Sequence, residues 1–182
     1  MIKTLFVAFI FMFSVQQALA HVELEVSSST YELRGLTLKA IHEDMDMKAQ
    51  EGDEIVEGET KDTFAFELNF DQTGNVCRVS TDKILLKLDI RLPRWADEEN
   101  ANPSVRAGWN SYFGKLKAHE DGHKTIAVAA AHKINELVHS AKGARSCAAM
   151  ETSLRSSAKQ IVEAAEREQE QFDASEAPFA LD

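Results

Sequence analysis

His119 and His123 stand four residues apart in "HEDGH", with Glu120 directly after the first. On an α-helix, positions i and i+4 lie only about 40° apart, so both imidazoles can offer a nitrogen to one ion. Glu120 lies about 60° from His123 on the same helix, close enough to act on a metal-bound water without itself ligating. This is the mechanical content of the His-Glu-x-x-His pattern: two zinc ligands and a general base. Two inward-facing imidazoles and a carboxylate are costly to bury unless each polar group finds a partner, and a cation is such a partner.

The helix that must hold them is legible around them. Asn102 and Pro103 provide a cap and a first-turn proline. Val105, Trp109, Tyr112, Leu116, His119, His123, Ile126, Ala130, Ile134 and Leu137 then recur at steps of three or four. That stripe predicts a helix of more than ten turns, ended by the glycine of "AKGARS". Gly122 costs about 1 kcal/mol in a helix interior relative to alanine, so it marks either a kink or the close approach of another segment beside the metal. A second helix is predicted from about Cys147 to Phe172, with Leu154, Ala158, Ile161, Ala165 and Phe172 on one side. The short turn makes the two helices antiparallel neighbours.

The third ligand must come from elsewhere, since Ile126, Ala127, Ala129 and Ala130 cannot ligate. A hairpin folded about residue 144 brings residues 165–169 past the histidines and points Glu168 most nearly inward. A shift of that axis by three residues favours Asp173 or Glu176 instead. A carboxylate there would complete a two-His, one-carboxylate zinc site with its fourth position left to water. His132 and His139 fall on the opposite side of the helix, and His42 sits among acidic residues at the surface. His21 would become the first residue of the processed chain.

Before Pro93 the texture is that of strands. "VELEVS", "DTFAFELNF" and "VCRVSTDKILLKLDIRLP" alternate apolar and polar residues, as half-buried strands do. A short helix is expected within "GLTLKAIHEDMDMKAQEG", and "EGDEIVEGE" reads as a solvated acidic connector. The fold class is therefore α+β: a small antiparallel sheet and a short helix packed on a long antiparallel helical hairpin, zincin-like in carrying the motif.

Residues 1–20 combine a charged start, the short apolar run "LFVAFIFMF" and the small-residue sequence Ala18-Leu19-Ala20, which together read as a secretory signal peptide. Residues 21–177 are then a single domain, and 178–182 a frayed tail. The formal charge of −10, one unit more negative without Lys3, argues against nucleic acid or an anionic membrane surface as partner. No stable membrane insertion is expected after signal cleavage. Cys77 and Cys147 are the two cysteines of the chain, and in an oxidising compartment they are expected to form one disulfide joining its two halves.

"VCRV", "RLPRW", a tryptophan ten residues ahead of "HEDGH", the late cysteine and the closing "QFDASEA" resemble a bacterial family of predicted secreted zinc-dependent proteases, catalogued as domain of unknown function 922. The resemblance spans Val22 to Ala177. It implies that His119 and His123 bind Zn2+, that Glu120 is the catalytic acid/base, and that Cys77 pairs with Cys147. The family's aromatic-Asp pair is matched by Phe172-Asp173, which raises Asp173 as a ligand or orienting residue. Many members continue with a Thr-x-His-Gly element where this chain has Glu176, Ala177, Pro178 and Phe179, so a carboxylate must take that role here or full activity is lost. The expectation is a secreted or periplasmic metallopeptidase acting on a peptide or protein substrate. Two readings compete with it: an exported metal-binding or envelope interaction protein without catalysis, and a purely structural hairpin without metal.

Overall fold

The computed structural model describes residues 22–175 and residue 181; the signal-peptide assignment to residues 1–20, and residues 176–180 and 182 of the tail, lie outside them. The elements are β1 (Val22–Leu33), α1 (Leu38–Lys48), β2 (Gln50–Glu51), β3 (Glu54–Ile55), β4 (Glu59–Thr73), β5 (Val76–Trp95), a 3-10 turn (Glu98–Asn100), α2 (Pro103–His139) and α3 (Cys147–Ser175). The α+β class expected from the sequence is present, with a small sheet and a long helical hairpin.

The sheet corrects one expectation. It is mixed rather than antiparallel, in the order β1-β5-β4. β4 and β5 form the antiparallel hairpin, turning at Gly74 with φ +58, whereas β1 runs parallel to β5 from Val22↔Ile84 to Leu33↔Trp95. Alternation reports which face of a strand is buried and carries no information about its neighbour's direction. The hairpin already occupies one edge of β5, and the long crossover through α1 and β2–β3 returns the chain so that β1 can fill the other edge in parallel.

The alternating run "VCRVSTDKILLKLDIRLP" lies within a single strand of 20 residues. Its pairing register with β4 shifts once: Asn69 pairs with Thr81 and Phe70 with Val79, so Ser80 is an extra residue. Across that bulge the inward positions switch from odd (Cys77, Val79) to even (Ile84, Leu86, Leu88), as one inserted residue requires.

α2 lies across this face. Leu86 and Leu88 pack with Ala127 and Ala131, and Ile84 with Ile134, Val138 and Ala158. At its other end, Trp109, Tyr112 and Leu116 meet Leu33, Ile41, Met45, Trp95 and Leu181. Asn102 caps α2 by accepting from the Ser104 amide at 3.0 Å, which satisfies one of the donors a helix start leaves open. The helix stops at the Ser140 cap, before Gly143. Gly143 instead allows β5 to approach, since a Cβ there would lie 2.7 Å from Val76 Cγ1. Among the described residues, no helix is long and apolar enough to cross a membrane.

Cys77 and Cys147 form the expected disulfide, Cα atoms 5.3 Å apart and 70 residues apart in sequence. It ties the start of α3 to β5, reinforced by the amides of Cys77 and Ala144 bonding each other's carbonyls at 2.6 and 2.9 Å. Cross-linking a loop of that length removes about 4 kcal/mol of denatured-state entropy. The double variant Cys77→Ala/Cys147→Ala is therefore expected to lose about 2–4 kcal/mol in denaturant unfolding; a loss below about 1 kcal/mol would show the brace to be slack.

Candidate metal centre

α2 presents Leu116, His119, Glu120 and His123 on successive turns, and α3 returns antiparallel with Gln169, Phe172 and Asp173. His123 Nε2 lies 3.1 Å from His119 Nε2. Asp173 Oδ1 lies 3.0 Å from His119 Nε2 and 2.9 Å from His123 Nε2. Three atoms able to ligate thus form a near-equilateral triangle, from residues the chain separates by up to 54 positions.

That triangle fits a small tetrahedral cation. Bonds of about 2.0–2.2 Å place neighbouring ligand atoms about 3.3–3.5 Å apart, so the three need only open by a few tenths of an ångström. Two imidazole nitrogens and one carboxylate oxygen form a donor set suited to zinc, with three protein ligands leaving a further position for water or substrate.

The rest of the constellation holds these groups in place. His123 Nδ1 lies 3.0 Å from Gln169 Oε1. The Phe172 ring stacks on His119, centroids 4.8 Å apart and planes 16° from parallel, and meets His123 edge-on at 5.2 Å. This explains Gly122: a Cβ there would fall 2.5 Å from Phe172 Cζ. Of its two sequence readings, close approach of another segment is the one observed, and α2 continues through it.

Glu120 is 3% exposed and His123 8%. Thr60 Oγ1, near the start of β4, donates to Glu120 Oε2 at 2.7 Å. Gly58 allows the chain to pass: a Cβ on it would sit 2.7 Å from Glu120 Oε1. Burial pushes the Glu120 carboxyl above its ordinary range, while the Thr60 hydroxyl and the two histidines pull it back and Asp173 adds to the rise. A cleft of ≈ 520 Å³ opens over this end of α2, walled by residues 54–58 and floored by Leu116, His119 and Glu120, with Asp173 at its rim.

The sequence-derived candidates separate cleanly. His119, Glu120, His123 and Asp173 come together. Glu168 does not: it is exposed, one residue and so about 100° away from Gln169, which takes the inward position at that level. The pair His123 and Gln169 places the hairpin's midpoint at residue 146 rather than 144, and this displacement exchanges Glu168 for Asp173. Glu176 and His21 lie outside the described residues, and His42, His132 and His139 are exposed as expected.

The sequence reading missed Thr60, Gly58 and Gln169. It also took residues 51–59 for a solvated connector, whereas Glu57 is half-buried and accepts from Tyr112 Oη at 2.9 Å. Burial raises both groups' pKa values, the Tyr112 hydroxyl's with Glu57's charge adding to it. The available signal was Tyr112 itself: it precedes His119 by two helical turns, and a buried tyrosine hydroxyl requires a partner.

The model of a family described as "Bacterial protein of unknown function (DUF922)" matches residues 28–179. No curated protein and no solved structure matches the chain.

Proposed function

The chain belongs to the DUF922 family, and from that premise and the geometry of its own residues we propose that it is an exported zinc metallopeptidase of the zincin type. The observation that carries the proposal is the convergence of His119 Nε2, His123 Nε2 and Asp173 Oδ1 within 3.1 Å of one another, beside a buried glutamate on the floor of a cleft. Zinc held by those three residues would supply Lewis acidity, polarising a peptide carbonyl and lowering the pKa of a water.

The remaining chemistry belongs to the chain. Glu120 takes the proton from the attacking water and passes it to the leaving amine, a role suited to a carboxyl whose pKa is raised by burial. Thr60 holds one carboxylate oxygen, and the other lies beside Gly58, which lines the cleft together with Glu120. Walls built from residues 54–58 and Leu116 exclude water from one side of a bound peptide. The disulfide supports an oxidising location, secreted or periplasmic, and the acidic balance supports a peptide or protein substrate rather than nucleic acid.

Elemental analysis of protein purified without chelator, paired with a broad peptide library, tests the reading. About one zinc per chain and cleavage that a chelator abolishes are expected. Zinc without cleavage would favour an exported, non-catalytic metal-binding protein. No zinc, and none taken up on titration, would end the metal reading.

A further inference from the structure

We propose that Glu57 is a specificity-determining residue whose carboxylate receives a lysine or arginine side chain of the bound peptide, at the end of the cleft away from the metal centre. The presence of a peptide there rests on the peptidase reading. Glu57 is half-buried in the cleft wall and held at two points. Its Oε2 accepts from Tyr112 Oη at 2.9 Å, and its backbone carbonyl accepts from Tyr31 Oη at 2.7 Å. Among the described residues, the basic groups nearby are engaged elsewhere: Arg91 with Glu51 at 2.6 Å, and His42 Nε2 with Asp46 Oδ2 at 3.7 Å. No described lysine or arginine lines the cleft.

Tyr112 precedes His119 by two turns of α2, about 10 Å along the axis, and Leu116 floors the cleft between them. An extended peptide rises about 3.3 Å per residue, so Glu57 meets a side chain about two to four residues from the bond at the metal. Tyr112 supplies a single hydrogen, which leaves the carboxylate acceptor capacity for an ammonium or guanidinium. Ile55 stands on the same wall with 46% of its surface open, and an aliphatic stem can lie on it while its charged head reaches the carboxylate. Burial disfavours the charge on Glu57, and a cationic partner offsets that cost where a neutral or acidic side chain does not.

Otherwise identical peptides test the assignment, each carrying one lysine, or norleucine in its place, stepped along the sequence. Norleucine keeps the aliphatic stem and lacks the charge. kcat/KM is read on the zinc-loaded wild type, and binding by fluorescence anisotropy on Glu120→Gln, which holds a peptide without turning it over. Lysine about two to four residues from the cleaved bond is expected to exceed norleucine about 5–20-fold in both readouts. With Glu57→Gln added to either protein, that ratio is expected to fall within about twofold of unity. The amide still accepts from Tyr112 and leaves the wall in place. A role confined to bracing the wall would weaken both peptides alike and leave the ratio unchanged.

Equal handling of lysine and norleucine at every position would overturn the inference, and so would a lysine preference that survives Glu57→Gln. Cleavage without that discrimination removes Glu57 from specificity and leaves the peptidase reading standing. Discrimination in binding, with no peptide cleaved, ends the peptidase reading and keeps the site for a basic side chain. Peptides neither bound nor cleaved would end both.

Discussion

Glu120→Gln is expected to retain about one zinc per chain and to hydrolyse peptides about 10²–10⁴-fold more slowly than the wild type, the range general-base removal produces. The substitution keeps the shape of the side chain. Its amide oxygen can still accept from Thr60 Oγ1, now 2.7 Å from Glu120 Oε2, so the floor of the cleft should not rearrange. It removes the ability to accept a proton and nothing else that the site uses. Because Glu120 is nearly inaccessible and burial disfavours its charged form, the neutral amide should not lower thermal stability at neutral pH. The decisive comparison is kcat/KM against zinc occupancy on the same preparations. Equal rates in the two proteins would remove Glu120 from the reaction, and a variant that lost its zinc would mean that Glu120 supports the ligands.

The part of this site carried by one helix was legible from spacing alone. His119, Glu120 and His123 need only the 3.6-residue period to be placed together, and the stripe from Trp109 onward gave the direction they face. The part contributed by a second element was not. A two-residue displacement of the hairpin midpoint moves the α3 residue facing a given level of α2 by four positions, about 6 Å along the helix axis, enough to bring Asp173 rather than Glu168 to the histidines. Loop geometry between Ser140 and Cys147 sets that displacement, through the paired amides of Cys77 and Ala144, which spacing does not encode. Thr60 and Gly58 were invisible for a related reason. They matter because the start of β4 passes Glu120, a relation between strand and helix that neither one's periodicity describes. The parallel direction of β1 likewise depends on which edge of β5 the hairpin leaves vacant.

The same displacement makes Asp173 the sharpest test of the ligand set. Asp173→Ala is expected to weaken zinc binding more than 100-fold, beyond the range for outer hydrogen-bond partners, while Glu168→Ala leaves it unchanged. Asp173 is half-exposed, with 54% of its side chain open, so truncating it creates no cavity and should leave the fold's stability almost unaltered. The predicted loss is therefore one of coordination, and it can be read by chelator competition on a fully folded protein. Phe172 should hold its place on His119 in the variant, because the space over Gly122 that receives its ring is unchanged. The two histidines then remain aligned but short of one ligand. Asp173 lies 26 residues beyond Cys147, about 39 Å along a continuous helix, so its placement depends on an anchor at the far end of the molecule as well as on Phe172 beside it. If Asp173→Ala binds zinc as the wild type does, the third ligand comes from another group, and the convergence of Asp173 on the histidines is an ion pair rather than part of a metal centre.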